Sequence, residues 1–152
     1  MQKLKEKGVK FGFLNLHVGI GTYAPVKCKD TREHKMHSEA YSISSDLSEQ
    51  IRVLPSQNKV VAVGTTSLRA LEGAAVVSRQ VIPGTSSTNI FIVPGYEFKV
   101  VDALLTNFHL PRSTLLMLVS AFKSRKEIME IYQEAVEKKY RFFSYGDAML
   151  LL

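Results

Sequence analysis

The sequence holds a single cysteine, Cys28, so no disulfide can form within the chain, and one thiol suits a reducing cytoplasm. Flanked by Lys27 and Lys29, it reads as an inert surface residue rather than a reactive thiol. No apolar run approaches the roughly 18 residues of a membrane-spanning helix, and the opening MQKLKEKGVK has no apolar signal region. Repeats, low-complexity tracts and obvious linkers are also lacking. What remains is 152 residues with 45% apolar content, which reads as a single domain over 1–152 with enough apolar surface for a packed core.

Charge of one sign is in excess. Twenty lysines and arginines against 14 acidic residues give a net charge of +6. The basic residues gather at 3–10, 27–35 and 123–141, a distribution that favours anionic partners, nucleic acid first among them. The same charge also fits solvated faces of a soluble basic protein, and no aromatic-rich RNA-binding signature accompanies it.

Residues 2–7 read as the end of a helix stopped by Gly8. The spacing predicts a strand over 9–17, a loop marked by Gly19, Gly21 and Pro25, and a short strand over 41–44. Asp46 with Glu49 resembles a capping box opening a helix through Leu54, ended by Pro55. Residues 59–63 form a continuous apolar run expected to be a strand buried on both faces, and Gly64 turns it into a helix over 67–77. This strand–turn–helix unit indicates α/β architecture, with a mixed α+β arrangement as the alternative. Residues 82–88 read as polar turn, 89–93 as a strand covered on both faces, and 98–110 as extended buried chain. Ser113 is placed as cap of a helix over 114–122, Ser124 and Glu127 as the capping box of another over 125–138, and 140–145 as a last strand. In the second helix Ile128, Ile131, Tyr132, Ala135 and Val136 form the stripe expected to pack on the core.

Four segments can carry chemistry. After the first strand, His17, Gly19, Gly21 and Thr22 combine close backbone approach with a hydroxyl, although a plain tight turn fits too. Their pattern lacks the third glycine and following helix of a dinucleotide site. His34, His37 and Glu39 can act as acid and base, contact substrate, or make structural hydrogen bonds; with no evident fourth ligand, a metal is not expected. Thr65, Thr66, Ser67 and Arg69 lie where a buried strand feeds a helix, so backbone amides, hydroxyls, helix dipole and guanidinium suit an anion. The alternative there is a helix merely capped by Thr66. Finally, Asn107 and His109 alternate with apolar residues and must be hydrogen-bonded, to protein or to ligand. Asp147 reads as a turn cap.

Taken together, LHVGIGTYAPV, EHKMHSE, VVAVGTTSLRALE, IFIVPGYEFKVVDALLTNFHLPRSTLLMLVSAF and YRFFSYGDAML resemble, in order, the S-adenosylmethionine:tRNA ribosyltransferase-isomerases of queuosine biosynthesis. The resemblance covers almost the whole chain. Tyr23 stands where that family usually has phenylalanine and Gly73 where it tends to have serine. The family also carries an inserted small β-barrel domain and an Ala-Pro-Thr-Ala-Gly-Leu-His-Phe motif upstream, so this chain is expected to be the C-terminal portion of the large domain.

The resemblance implies a mixed, partly barrel-like sheet with helices packed on it. It also implies transfer of the ribosyl group of S-adenosylmethionine to 7-aminomethyl-7-deazaguanine in a tRNA anticodon, without a metal. His17, His37, Glu39 and His109 become the acid and base candidates. Gly19, Gly21, Thr22, Thr65, Thr66, Ser67, Arg69 and Asn107 become the substrate-binding set, and Tyr23 or Phe108 would stack on adenine or face the sulfonium. The other reading of the same resemblance is a non-catalytic tRNA- or nucleotide-binding remnant. Four expectations follow: His17, Thr66, Arg69, Asn107 and His109 share one cleft; Arg69→Ala weakens anion binding but leaves the fold intact; an apolar patch or sheet edge is exposed; and the chain alone self-associates and is inactive.

Overall fold

Strand pairing decides most of this architecture. A computed structural model describes residues 1–19 and 34–152. In chain order the elements are α1 (Gln2–Glu6), β1 (Asn15–Leu16), β2 (Glu39–Ile43), α2 (Ser45–Arg52), β3 (Val61–Val63), α3 (Thr65–Gly73), β4 (Ala75–Val77), β5 (Gln80–Val81), β6 (Gly84–Thr88), β7 (Ala103–Asn107), α4 (Thr114–Val119), α5 (Arg125–Glu137) and β8 (Ala148–Leu151). The class is mixed α/β, with small sheets and helices packed against them. One sheet has the order β1-β2-β6 and a second β3-β7-β8, while β4 and β5 form a hairpin. In the second sheet β3 and β7 run parallel and β7 and β8 antiparallel.

Helix ends follow their local chemistry. Gly8 sits at φ +83 beyond α1, as a helix stop requires. Ser124 and Glu127 form the reciprocal capping box at the start of α5, and Ser113 accepts from the Leu116 N–H at the start of α4. At α2 the cap is Ser44, which accepts from Leu47 N–H, and not Asp46. Asp46 lies in the first turn, where its charge complements the dipole, and Glu49 pairs with Arg52 instead of reaching back.

Several strand boundaries differ from those expected. Within 9–17 only Asn15–Leu16 pairs with a neighbour. The polar segment Gly84–Thr88 is a strand because it zips along the whole of β2, whereas 89–93 pairs with no strand. Helix α3 begins two residues earlier than expected and ends at Gly73, and Ala75–Val77 turns into a strand. Helix α4 stops at Val119. Residues 140–145 form no strand; Ala148–Leu151 closes the sheet against β7. In α5 the buried residues are Ile128, Tyr132 and Ala135, while Ile131 and Val136 are exposed.

The core centres on α3. Leu68 and Ala70 are 0% exposed, and the helix packs on β1, β3, β6 and β7. It also buries two charges on its inner side. Glu72 is 3% exposed and accepts hydrogen bonds from the Tyr96 hydroxyl and the backbone N–H groups of Lys99, Val100 and Val101 at 2.9–3.0 Å. One carboxylate thereby holds the segment that leads into β7. Asp102 acts similarly at the sheet's start, accepting from Val60 N–H at 2.7 Å and from Arg79 at 2.9 Å.

Candidate functional site

Two neighbouring clusters assemble around α3. Because β3 and β7 are parallel, their carboxyl ends emerge together, and Gly64 N–H donates to Leu105 C=O at 2.8 Å. This brings the 64–67 turn beside Asn107. Gly64 at φ +87 and ψ 143 makes the sharp turn from strand into helix. It is also the N-cap, with no side-chain cap, so Thr66 does not cap this helix. The leading amides of α3 thus receive no cap from the N-cap residue at the helix's positive end. Asn107 is exposed and donates to the Asp147 carbonyl at 3.2 Å. Asp147 in turn accepts from Arg141 N–H at 2.6 Å, closing the turn it was expected to cap.

The second cluster lies at the shared end of β1 and β2. These strands are antiparallel, with Leu16 opposite Tyr41, and His17 N–H donates to Ala40 C=O at 2.8 Å. The end of β1 therefore meets the start of β2, and the exposed His17 and His37 lie at that same end. Glu39 opens β2, and Arg69 reaches it from α3 with an Nη1 donor. Both side chains are buried, at 3% for Arg69 and 1% for Glu39. Burial pulls the guanidinium below its ordinary value, opposed by the Glu39 charge. Among the described residues, Arg69 Nε and Nη2 have no hydrogen-bond partner. Those two N–H groups form the side-on fork that fits a carboxylate or phosphate. Arg69→Ala would remove the cation of this buried pair, so a cost in stability is expected beside any loss of anion binding.

His109 follows β7 two residues past Asn107. It is 8% exposed, with Nε2 3.1 Å from Thr106 Oγ1, and its backbone N–H donates to the Tyr132 hydroxyl at 2.8 Å. Burial pushes its imidazole down to about 4 and the Tyr132 phenol up to about 12. Phe108 is 4% exposed and its ring packs among Tyr132, Tyr140 and Phe142.

The pH consequence has a definite sign. An imidazole depressed from 6.5 to about 4 in the folded state takes up protons more readily when unfolded. Stability is therefore complete above 6.5 and falls as pH drops towards 4, by about 3 kcal/mol at most. Urea unfolding between about pH 7 and about pH 4.5 should show a shallower loss for His109→Gln than for the native chain. Equal slopes would remove this role from His109.

Gly19 has no atom of the described residues within 4 Å of an added Cβ. Gly21, Thr22, Tyr23, Pro25 and Cys28 lie outside the described residues. His34 stacks at a tilt on Phe91, with centroids 5.2 Å apart. Among the described residues, no group of three His, Cys, Asp or Glu side chains could hold a metal ion, and no helix is long and apolar enough to cross a membrane. A groove of about 500 Å³ lined by Lys5, Val9, Lys10, Phe11, Phe13 and Gln50 includes none of the candidate residues. Glu72 escaped sequence reading. Its one signal is a helical position four residues after Leu68, on the side that packs inward.

Comparison with known proteins bears on these clusters. The model of a family described as queuosine biosynthesis protein matches residues 1–151. The S-adenosylmethionine:tRNA ribosyltransferase-isomerase of Legionella pneumophila (strain Lens) is 54% identical over 153 residues, covering all of this chain and 45% of the relative. That of Ralstonia nicotianae is 56% identical over 150 residues, covering 98% of this chain and 42% of the relative. The crystal structure of the S-adenosylmethionine tRNA ribosyltransferase from Thermotoga maritima superposes with a TM-score of 0.79 at 47% identity, over 99% of this chain and 48% of that one. The chain thus spans about half the length of the relatives it matches. With sequence and fold agreeing from end to end, the chain belongs to the queuosine biosynthesis protein family.

Proposed function

We propose that this chain is the C-terminal portion of the large domain of a cytoplasmic S-adenosylmethionine:tRNA ribosyltransferase-isomerase. Joined to the rest of a family-length protein, it would move the ribosyl group of S-adenosylmethionine to 7-aminomethyl-7-deazaguanine in a tRNA anticodon. Adenine and methionine leave, and the ribose becomes the epoxycyclopentanediol of epoxyqueuosine. In that longer protein the small sheets would belong to a partly barrel-like whole.

The observation that carries this reading is the side-on fork of Arg69, buried one turn into α3, whose amino end has no side-chain cap. Side chains on a helix lean towards its amino end, so guanidinium and leading amides converge on an anion. The methionine carboxylate is the fitting group, with Thr65, Thr66, Ser67 and Asn107 as further polar contacts. Gly19, Gly21 and Thr22 would contribute close backbone approach beside them.

The chemistry needs a base for the ribose proton that the adjacent sulfonium acidifies and an acid for departing adenine. His17 and His37, both exposed at the joined ends of β1 and β2, fit these roles best. Glu39 would act by holding Arg69, and the neutral His109 by supporting the sheet end. No metal takes part. The deciding experiment is adenine release from S-adenosylmethionine in the presence of the modified tRNA. Release is expected when this chain is joined to the remaining part of the Legionella relative, and not from this chain alone. A soluble joined chain that binds tRNA but releases no adenine would refute the reading.

A further inference from the structure

Residues 141–147, the turn before β8, have no role in the site described above. Asn107 closes β7 opposite Ala148, the first residue of β8, and its Nδ2 donates to the Asp147 carbonyl at 3.2 Å. The turn therefore stands at the end of the sheet where the 64–67 turn also emerges, since Gly64 N–H donates to Leu105 C=O on β7. In β3 itself only Ala62 is buried, while Val61 and Val63 are exposed, so the expected cover on both faces is not met. The 141–147 turn is held at several points. Arg141 donates to the Asp147 carboxylate from its backbone N–H at 2.6 Å, from Nε at 3.2 Å and from Nη2 at 3.1 Å. Phe143 N–H donates to Phe108 C=O at 2.8 Å, and the Phe142 ring packs against Phe108 and Tyr132. Phe143 and Gly146 hold positive φ, +66 and +114. A bulky side chain adopts that backbone only where its surroundings impose it, commonly at ligand sites.

This fixed turn carries one aromatic ring outside the core. Tyr145 is 75% exposed and, among the described residues, stacks on no other ring. Lys138, Lys139 and Arg141 precede it, all exposed. An open ring beside cations is the combination by which proteins hold unpaired bases of a nucleic acid: the ring stacks on a base and the cations follow the phosphates. The exposure distinguishes the kind of nucleotide. A small ligand is gripped by enclosure, with most of its surface buried, and a ring this open gives none. A base whose own backbone is held elsewhere on the protein needs only a platform. We infer that Tyr145 is the stacking platform for an unpaired base of the tRNA anticodon loop. The inference rests on the proposed action on tRNA. It makes Tyr145 a positioning residue that takes no part in making or breaking bonds.

Binding of an unmodified anticodon stem-loop RNA tests this without turnover. Affinity is measured at one fixed salt concentration, because phosphate contacts shift with salt. The protein is this chain joined to the remainder of the Legionella relative, or the two pieces co-expressed should the joined protein be insoluble. Tyr145→Ala and Tyr145→Leu are each expected to weaken stem-loop binding at least about fivefold, the low end of what one stacked base supplies. Tyr145→Phe keeps the ring and should bind as the native residue does. A fully paired RNA of the same length should bind all four proteins alike, since it offers no open base. Affinity for S-adenosylmethionine should be unchanged in every variant, and so should the urea midpoint, because the side chain is exposed. Stem-loop binding that Tyr145→Ala leaves intact would overturn the inference. So would an equal loss for the paired RNA, which would leave only phosphate contacts, or a loss confined to S-adenosylmethionine, which would put adenine on the ring. Absent adenine release with the ring-dependent stem-loop binding intact would count against the proposed function only.

Discussion

Glu72→Ala is expected to leave this chain unable to hold its native fold at room temperature. The side chain accepts from Tyr96 and from three consecutive backbone amides, Lys99, Val100 and Val101. Removing it strands several donors at once, in a region where Val100 and Val101 are 2% and 3% exposed. Each stranded donor costs about 1–3 kcal/mol, so the four together cost at least about 4 kcal/mol, close to the whole stability of a small domain. Glu72→Gln keeps one acceptor oxygen in place and should lose about half as much. The cause is specific: the 96–101 segment sets the approach of β7 to β3, so amide exchange in β7 should accelerate in Glu72→Gln before it does in α5. A urea midpoint for Glu72→Ala corresponding to a loss below about 2 kcal/mol would show that the segment holds itself.

The capping chemistry of α4 and α5 was legible because it is local: Ser113 and the Ser124–Glu127 pair act within three residues of themselves. The same locality misled at α2. Asp46-x-x-Glu49 has the form of a capping box, while the true cap, Ser44, has no acid three residues on to announce it. Strands were less legible because what makes a strand is its partner. Gly84–Thr88 has the composition of a turn and becomes a strand on meeting β2. Residues 90–93 have the composition of a strand and meet none. In the candidate site, the concentration of hydroxyls and an arginine after a buried strand was readable, as was the glycine at positive φ. The Arg69–Glu39 pair was not, since its members lie thirty residues apart and each alone resembled a ligand contact. His109 shows the same limit. Its alternation with apolar neighbours signalled a hydrogen-bonded polar group, but not that Thr106 and Tyr132 are its protein partners.

Arg69 and Glu39 should show strong coupling when both are replaced. Arg69→Met leaves the Glu39 carboxylate at the start of β2 without its guanidinium, and Glu39→Leu leaves the guanidinium buried without its anion. Removing one member of a buried ion pair typically costs about 3–5 kcal/mol. Replacing both removes the two charges together, and apolar side chains of similar volume recover much of the loss. Thermal and urea unfolding of the two single variants and the double variant should therefore give a double loss at least about 2 kcal/mol smaller than the sum of the singles. Strict additivity would mean that the two side chains do not depend on each other. Arg69→Lys then separates structure from ligand binding. Lysine keeps a positive charge near Glu39 but cannot present two parallel N–H groups to a carboxylate. In the joined family-length protein its affinity for S-adenosylmethionine should fall at least about tenfold, corresponding to the roughly 1.5–3 kcal/mol of a charge-assisted contact. An unchanged affinity would place the methionine carboxylate elsewhere and leave Arg69 to a purely structural task.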